Sequence, residues 1–283
     1  MAAARQVALV TSLQETTAVV LDPRSGTQLA CLKTNSSHPG ATALVGTDLV
    51  FSAQAKGTAI HCWSWGTEQP RVKCHAPERL GPLAVSGDGS LCVGGGASGR
   101  LHLWDVGSGE VLRSWDAHYK AVSALAFSAD GGFIFSGGED AVLSAWNSLE
   151  AADAESPDPF EGGGASFSMP SCSLDPQWTR SEHSLPITCL EAPPAGGRLY
   201  SSSLDCSVKA WEVFSGQLLV SVEYPCFLRC VVTDAREALL FAGAGTGVIF
   251  QVDLGVTAMA ATASQASLIL GEGHHHHNAY QDL

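Results

Sequence analysis

Short runs of alternating apolar and polar residues fill most of the chain, and turns rich in Gly, Ser and Asp separate them. The clearest runs are "LHLW", "LSAW" and "VKAW", which end at Trp104, Trp146 and Trp211. Alternation with a period of two indicates a half-buried β-strand. No helical pattern of about 10–15 residues lies between the runs, so the sequence favours an all-β fold over one that alternates strands and helices.

The tryptophans mark a repeat. Trp63 in "IHCW" is a fourth copy, and Leu21 and Val252 occupy the same slot in two degenerate copies. The six slots are separated by 42, 41, 42, 65 and 41 residues, and apolar runs around each slot predict four strands per repeat. Four short antiparallel strands every ~40–45 residues, the third ending in a Trp-Asp-like dipeptide, are typical of the blades of a WD-repeat β-propeller.

We expect a single propeller domain over residues 1–283 with about six recognisable blades. The one long interval predicts an acidic insertion rich in Ser, Pro and Gly at about residues 148–177, between the third and fourth strands of one blade. This composition fits a tolerated loop insertion and also a partner-binding loop. At about residues 256–283 we expect an incomplete or disordered segment, truncated where Gly273 and His274 would open a further blade.

The charge balance narrows the possible partners. There are 15 Lys and Arg against 28 Asp and Glu, a net charge of −13, which argues against direct binding of nucleic acid. The chain contains no apolar stretch of about 18 residues and no signal-like start, so we expect a soluble intracellular protein without a membrane partner. The run His274–His277 is more typical of a disordered tract or a tag remnant than of a metal site.

Cysteine usage gives no support to a disulfide framework or a metal site. The nine cysteines are scattered and odd in number, and the close pair Cys226 and Cys230 has no second ligand pair nearby. We expect reduced thiols, no metal and no cofactor. The segment "GGGASG" at 94–99 fits a dinucleotide-binding pattern, but a strand follows it instead of a helix, so its glycines are interpreted as turn residues.

Two sets of Ser, His and Asp resemble a hydrolase triad, yet both stand at the same offsets from a slot tryptophan. A catalytic triad has no reason to recur in register with the blades, whereas a structural network has. The resemblance to WD-repeat propellers implies a hydrogen-bonded tetrad within each of two blades, formed by side chains that can satisfy one another. The predicted structural tetrads are His118, Ser136, Asp140 and Trp146, and His183, Ser201, Asp205 and Trp211.

The other repeats lack the tetrad residues at these offsets. The corresponding residues are Ala76, Gly94 and Ser98 for Trp104, and Tyr224, Ala242 and Thr246 for Val252. We therefore expect these blades to depend on apolar packing alone.

Four longer phrases carry a more particular resemblance: "HYKAVSALAFS", "HSLPITCL", "SSSLDCSVKAWEVFSGQLLVSV" and "GVIFQVDL". Over about residues 5–255 the chain resembles the WD repeat-containing protein 18 family, whose propeller is expected to have seven blades. The resemblance implies a non-catalytic scaffold of the nucleus and nucleolus in pre-60S ribosome assembly and rRNA processing. The implied partners are a helical-repeat subunit and the AAA ATPase midasin, and no partner-binding residue can be assigned.

The alternative hypothesis is a substrate receptor of a cullin-type ubiquitin ligase. Such propellers often carry Trp-Asp-x-Arg just after the slot. Here only the degenerate "LDPR" at 21–24 has the arginine, so the pattern favours the scaffold.

Overall fold

The computed structural model is an all-β propeller of six blades, as the repeat predicted. It describes residues 8–10, 17–33, 37, 40–46, 49–64, 70–153, 173–234, 236–254 and 267–269. Each blade is one antiparallel sheet whose strands pair in chain order. Five of the six slot residues lie in the third strand of a four-stranded blade, and Leu21 lies in the second described strand of the first blade, so the structure confirms the period derived from the tryptophans.

The first three blades contain eleven strands. The first blade has β1 (Ala8–Val10), β2 (Thr17–Leu21) and β3 (Gln28–Lys33). The second has β4 (Thr42–Val45), β5 (Leu49–Ala53), β6 (Ala59–Ser64) and β7 (Val72–His75). The third has β8 (Leu80–Val85), β9 (Leu91–Gly96), β10 (Arg100–Asp105) and β11 (Val111–Asp116).

The last three blades have four strands each. The fourth has β12 (Val122–Phe127), β13 (Phe133–Gly138), β14 (Leu143–Asn147) and β15 (Trp178–Arg180). The fifth has β16 (Ile187–Glu191), β17 (Arg198–Ser203), β18 (Ser207–Glu212) and β19 (Leu218–Glu223). The sixth has β20 (Leu228–Thr233), β21 (Leu239–Ala244), β22 (Ile249–Asp253) and β23 (Ser267–Ile269).

The hydrophobic core lies between neighbouring blades. Five clusters of buried side chains join successive blades, from the first and second to the fifth and sixth. The slot tryptophans Trp63, Trp104, Trp146 and Trp211 are each buried in the cluster that joins their own blade to the preceding one. The slot side chain therefore packs between its own blade and the preceding one.

The turn after the slot follows from its residues. Gly109 and Gly216 have φ of +75° and +65°, a left-handed conformation that glycine adopts without steric cost. The Asp105 carboxylate accepts the Ser108 N–H at 2.8 Å, and the Glu212 carboxylate accepts the Ser215 N–H at 2.6 Å. The acid of each Trp-Asp-like dipeptide thus fixes the turn that leads to the fourth strand.

The beginning of the long insertion departs from the predicted loop. Ser148–Ala152 form a short helix, α1, and the Asn147 side chain accepts the N–H groups of Leu149 and Glu150 at its N-terminus. Buried Ala151 joins the apolar cluster between the third and fourth blades. Residues 154–172 of the insertion lie outside the described residues, and β15 pairs with β14 beyond them.

The predicted C-terminal segment at about 256–283 also lies outside the described residues, except for β23. This strand pairs with β22 as the fourth strand of the sixth blade.

In the third to sixth blades, the antiparallel order places two kinds of loop at the same end. The connection that enters each of these blades and the turn between its second and third strands both lie on what we term the upper face. The turns between the third and fourth strands of the third and fifth blades lie on the opposite face.

Candidate functional site

The structure brings the four predicted residues of the fourth blade together. His118 Nδ1 lies 3.1 Å from Asp140 Oδ1, and His118 Nε2 lies 2.8 Å from Ser136 Oγ. The Trp146 indole N–H donates to Ser136 Oγ at 2.9 Å. The network runs from the upper face, where His118 and Asp140 lie on adjacent loops, to the slot tryptophan in β14.

The direction of each hydrogen bond follows from burial and chemistry. The side chains of His118 and Asp140 are 0% and 1% exposed. Burial lowers the pKa of His118, and Asp140, which raises it, compensates only in part, so the ring is neutral near pH 7. A carboxylate can only accept, which assigns the proton to Nδ1 and leaves Nε2 to accept the Ser136 hydroxyl.

The fifth blade repeats this geometry. His183 Nδ1 lies 2.8 Å from Asp205 Oδ2, His183 Nε2 lies 2.7 Å from Ser201 Oγ, and Trp211 donates to Ser201 Oγ at 2.9 Å. Ser207 Oγ also donates to Asp205 at 2.6 Å. Burial tends to raise the pKa of Asp205, but the hydrogen bonds from Ser207 and His183 outweigh it and lower that pKa below its usual value.

The third blade was predicted to depend on apolar packing alone, and this prediction is wrong. Glu78 Oε1 lies 3.1 Å from His102 Nε2, and His102 Nδ1 lies 2.7 Å from Ser114 Oγ. Glu78 also accepts the Ser98 N–H at 3.2 Å and the Ser98 hydroxyl. A third polar network therefore ties the upper loops of this blade to β10 and β11, with its histidine in the third strand instead of the loop.

Sequence reasoning missed this network because it sought the tetrad types at fixed offsets. One signal was available in the sequence. His102 lies two residues before the slot, and Glu78 lies in the loop that enters the third blade, which is equivalent to the loop that carries His118 at the start of the fourth blade. Burial tends to raise the pKa of Glu78, but hydrogen bonds from Ser98 and His102 lower it below its usual value. Trp104, without a serine acceptor, donates to the carbonyl of His75 at 3.1 Å.

The sixth blade does rely on apolar side chains at these positions. Tyr224 and Ala242, which replace the tetrad His and Ser, both belong to the apolar cluster between the fifth and sixth blades. Among the described residues, the buried Tyr224 hydroxyl has no hydrogen-bond partner.

Exposed apolar side chains stand close to both tetrads on the upper face. Tyr119, next to His118, is 78% exposed, and Leu185, two residues after His183, is 48% exposed. Phe227 occupies the corresponding loop of the sixth blade, and the Arg229 guanidinium lies 5.5 Å from its ring centroid. Aromatic and arginine side chains are enriched in protein interfaces, which makes this arc of the upper face the candidate interaction surface.

The described residues offer no metal centre: they contain no group of three or more His, Cys, Asp or Glu arranged to hold an ion. His274–His277 lie outside this part of the chain. The eight described cysteines are free thiols. Within the described ranges no helix is long and apolar enough to cross a membrane. A strand, β10, follows the "GGGASG" segment, as predicted. Gly94–Gly96 are strand residues at the end of β9 and only Gly99 lies in the turn, so the interpretation of all four glycines as turn residues is wrong.

Comparison with known proteins agrees with the fold. The family model for the WD domain, G-beta repeat, matches residues 109–147 and 174–212, the two segments that contain the tetrads. A chain of the solved structure titled "Crystal Structure of Mitotic Checkpoint Complex" superposes with a TM-score of 0.69 at 15% identity, covering 88% of this chain and 71% of that one. At this identity the likeness concerns the fold alone. The protein therefore belongs to the class of WD40-repeat β-propellers.

Relatives of greater sequence similarity make the assignment more specific. WD repeat-containing protein 18 of Bos taurus is 33% identical over 90% of this chain, and pre-rRNA-processing protein IPI3 of Yarrowia lipolytica is 32% identical over 84%. Protein ROOT INITIATION DEFECTIVE 3 of Arabidopsis thaliana is 28% identical over 88%. The chain is a homologue of these WD-repeat proteins, as the resemblance predicted. It spans about half of their length, namely 56%, 54% and 55%.

Proposed function

We propose that this propeller is a non-catalytic interaction scaffold in pre-rRNA processing, within assembly of the large ribosomal subunit. Two relatives at about 30% identity support the process, since one is named as a pre-rRNA-processing protein and the other is WD repeat-containing protein 18. The proposed location is the nucleus and nucleolus, where this processing takes place. The proposed partners are a helical-repeat subunit and the AAA ATPase midasin.

The geometry of the tetrads is the observation that carries the non-catalytic role. Ser136 and Ser201 are both fully buried, and each hydroxyl oxygen is already bonded to a histidine and an indole N–H. A nucleophilic serine must be reached by its substrate, and its base must be free to take the proton. These serines instead connect a ring and a tryptophan inside one blade, which is a structural task.

The upper face is the proposed contact surface. Exposed Tyr119 and Leu185 lie in the same loops as the tetrad histidines, and the hydrogen bonds of the tetrads hold these loops in place. A rigid apolar patch binds a partner without paying for the ordering of loops. We expect the helical-repeat partner to cover this arc of the fourth to sixth blades.

Affinity purification of the tagged chain from its own cells, followed by mass spectrometry, tests the proposal. The scaffold predicts pre-60S factors and midasin among the captured proteins, with loss of at least one of them from a Tyr119→Ala, Leu185→Ala variant. The variant Leu149→Ala, at an exposed position of α1 away from the upper face, is the matched control and retains them. Capture of cullin adaptors without pre-60S factors would replace this proposal with the ubiquitin-ligase receptor.

A further inference from the structure

A cavity of about 240 Å³ lies between the fifth and sixth blades. Its wall is formed mainly by apolar side chains from β18, β19, β21 and β22 and from the loop after β19. They include Val208, Ala210, Val222, Tyr224, Leu240 and Val252. At the outer rim the cavity is bordered by Leu219 and Val220, each 44% exposed, so it communicates with the surface.

The cavity lies where a tryptophan packs in another blade. The buried neighbours of Trp104 include Ile60, Cys62, Cys74, Ala76 and Cys92. The residues at the equivalent repeat positions of the fifth and sixth blades line the cavity. They are Val208, Ala210, Val222, Tyr224 and Leu240. The slot residue of the sixth blade, which packs against these side chains, is Val252 instead of a tryptophan. The larger Tyr224 and Leu240 fill only part of the space that an indole would take.

Tyr224 contributes its ring to the wall of the cavity. Tyr224 is 6% exposed, and its buried hydroxyl has no hydrogen-bond partner among the described residues. Because this oxygen is inaccessible, the part of Tyr224 that faces the cavity is apolar, like most of the wall.

We propose that the cavity binds a tryptophan side chain of a partner protein, presented by an extended segment. An apolar cavity of about 150 Å³ holds a benzene molecule, so one of 240 Å³ accommodates the bicyclic indole. The slot tryptophans Trp104 and Trp146 show that an indole packs between two blades at the equivalent position. The inference does not depend on the proposed role in pre-rRNA processing.

The rim of the cavity favours a polypeptide over a small molecule. β19 is the outer strand of its sheet and pairs only with β18 among the described strands, and its Leu218, Leu219 and Val220 are exposed. An exposed apolar edge strand is a template for an added strand, with pockets for its side chains. Arg198 also borders the cavity and is 47% exposed beside Glu237. Its remaining donors favour an acidic residue next to the bound tryptophan.

The test uses the full chain and the dipeptide N-acetyl-Glu-Trp-amide, with binding followed by ligand-detected NMR. We expect binding of this dipeptide and none of N-acetyl-Glu-Ala-amide. The variant Val252→Trp fills the cavity from inside and weakens binding at least tenfold, and Val252→Phe serves as a second filling variant if the first does not fold. Ile249→Trp, which adds an indole at an exposed position of the same strand, is the matched control and leaves binding unchanged.

Absence of binding to the wild-type chain would overturn the proposal, and so would equal binding to Val252→Trp. Binding of free indole without binding of the dipeptide would also overturn it, because the cavity would then be closed to a polypeptide.

Discussion

Removal of the Asp140 carboxylate tests whether the tetrad stabilises its blade. In Asp140→Ala, the His118 Nδ1–H loses an acceptor at 3.1 Å, and the ring, with 0% of its side chain exposed, has little access to water. The backbone N–H groups of Tyr119 and Val142 lose the same carboxylate, at 3.3 and 3.1 Å. These two lie in more open surroundings and can bond to water instead. A buried donor left unpaired costs about 1–3 kcal/mol, which sets the expected loss of unfolding free energy.

Thermal unfolding monitored by tryptophan fluorescence measures this loss. For a domain of this size, 1 kcal/mol corresponds to about 2–4 °C, so a loss of about 2 kcal/mol lowers Tm by about 4–8 °C. Thr246→Ala is the matched control, because Thr246 occupies the same turn position in the sixth blade, which has no tetrad, and we expect its Tm to stay at the wild-type value. Equal Tm values for Asp140→Ala and Thr246→Ala would refute the structural role of the tetrad.

Three further outcomes are expected from the same structure. Because burial lowers the pKa of His118 and His183 in the fold, the unfolded chain binds more protons, so Tm should fall as pH drops below about 6.5; a Tm that is constant from pH 7.5 to 5.5 contradicts this. Glu78→Ala should lower Tm by several degrees, since His102 loses its acceptor, and no change would restore the view that this blade depends on apolar packing alone. Gly99→Ala should lower Tm more than Gly247→Ala. Both glycines have a positive φ, +87° and +86°, but only at Gly99 would the added Cβ clash with a backbone oxygen, that of His118. Equal melting temperatures of the two variants would contradict that difference.

The sequence was sufficient for the parts of the structure that repeat. Tryptophans at a regular interval mark a third strand because each fills the same gap between blades, and this placed the strand at Val252 as well. Repetition also favoured a structural network over a catalytic triad, since His118 and His183 stand at the same offset from their slots. These inferences needed only spacing and residue type.

The parts that differ between blades were harder to predict. The Glu78–His102 network joins an acid, a histidine and a serine without the slot tryptophan, and its histidine lies in a strand instead of a loop, so a search at fixed offsets did not find it. Helix α1 has five residues, too few to show a helical period. Val252 was recognised as a degenerate slot, but the cavity beside it depends on the sizes of neighbours from two blades.

Analysis of pre-rRNA in cells depleted of this protein is the most direct test of the proposed function. We expect that precursors of large-subunit rRNA accumulate while small-subunit precursors mature normally, and that the wild-type chain reverses the defect. Unchanged levels of both sets of precursors after depletion would contradict a role in assembly of the large subunit.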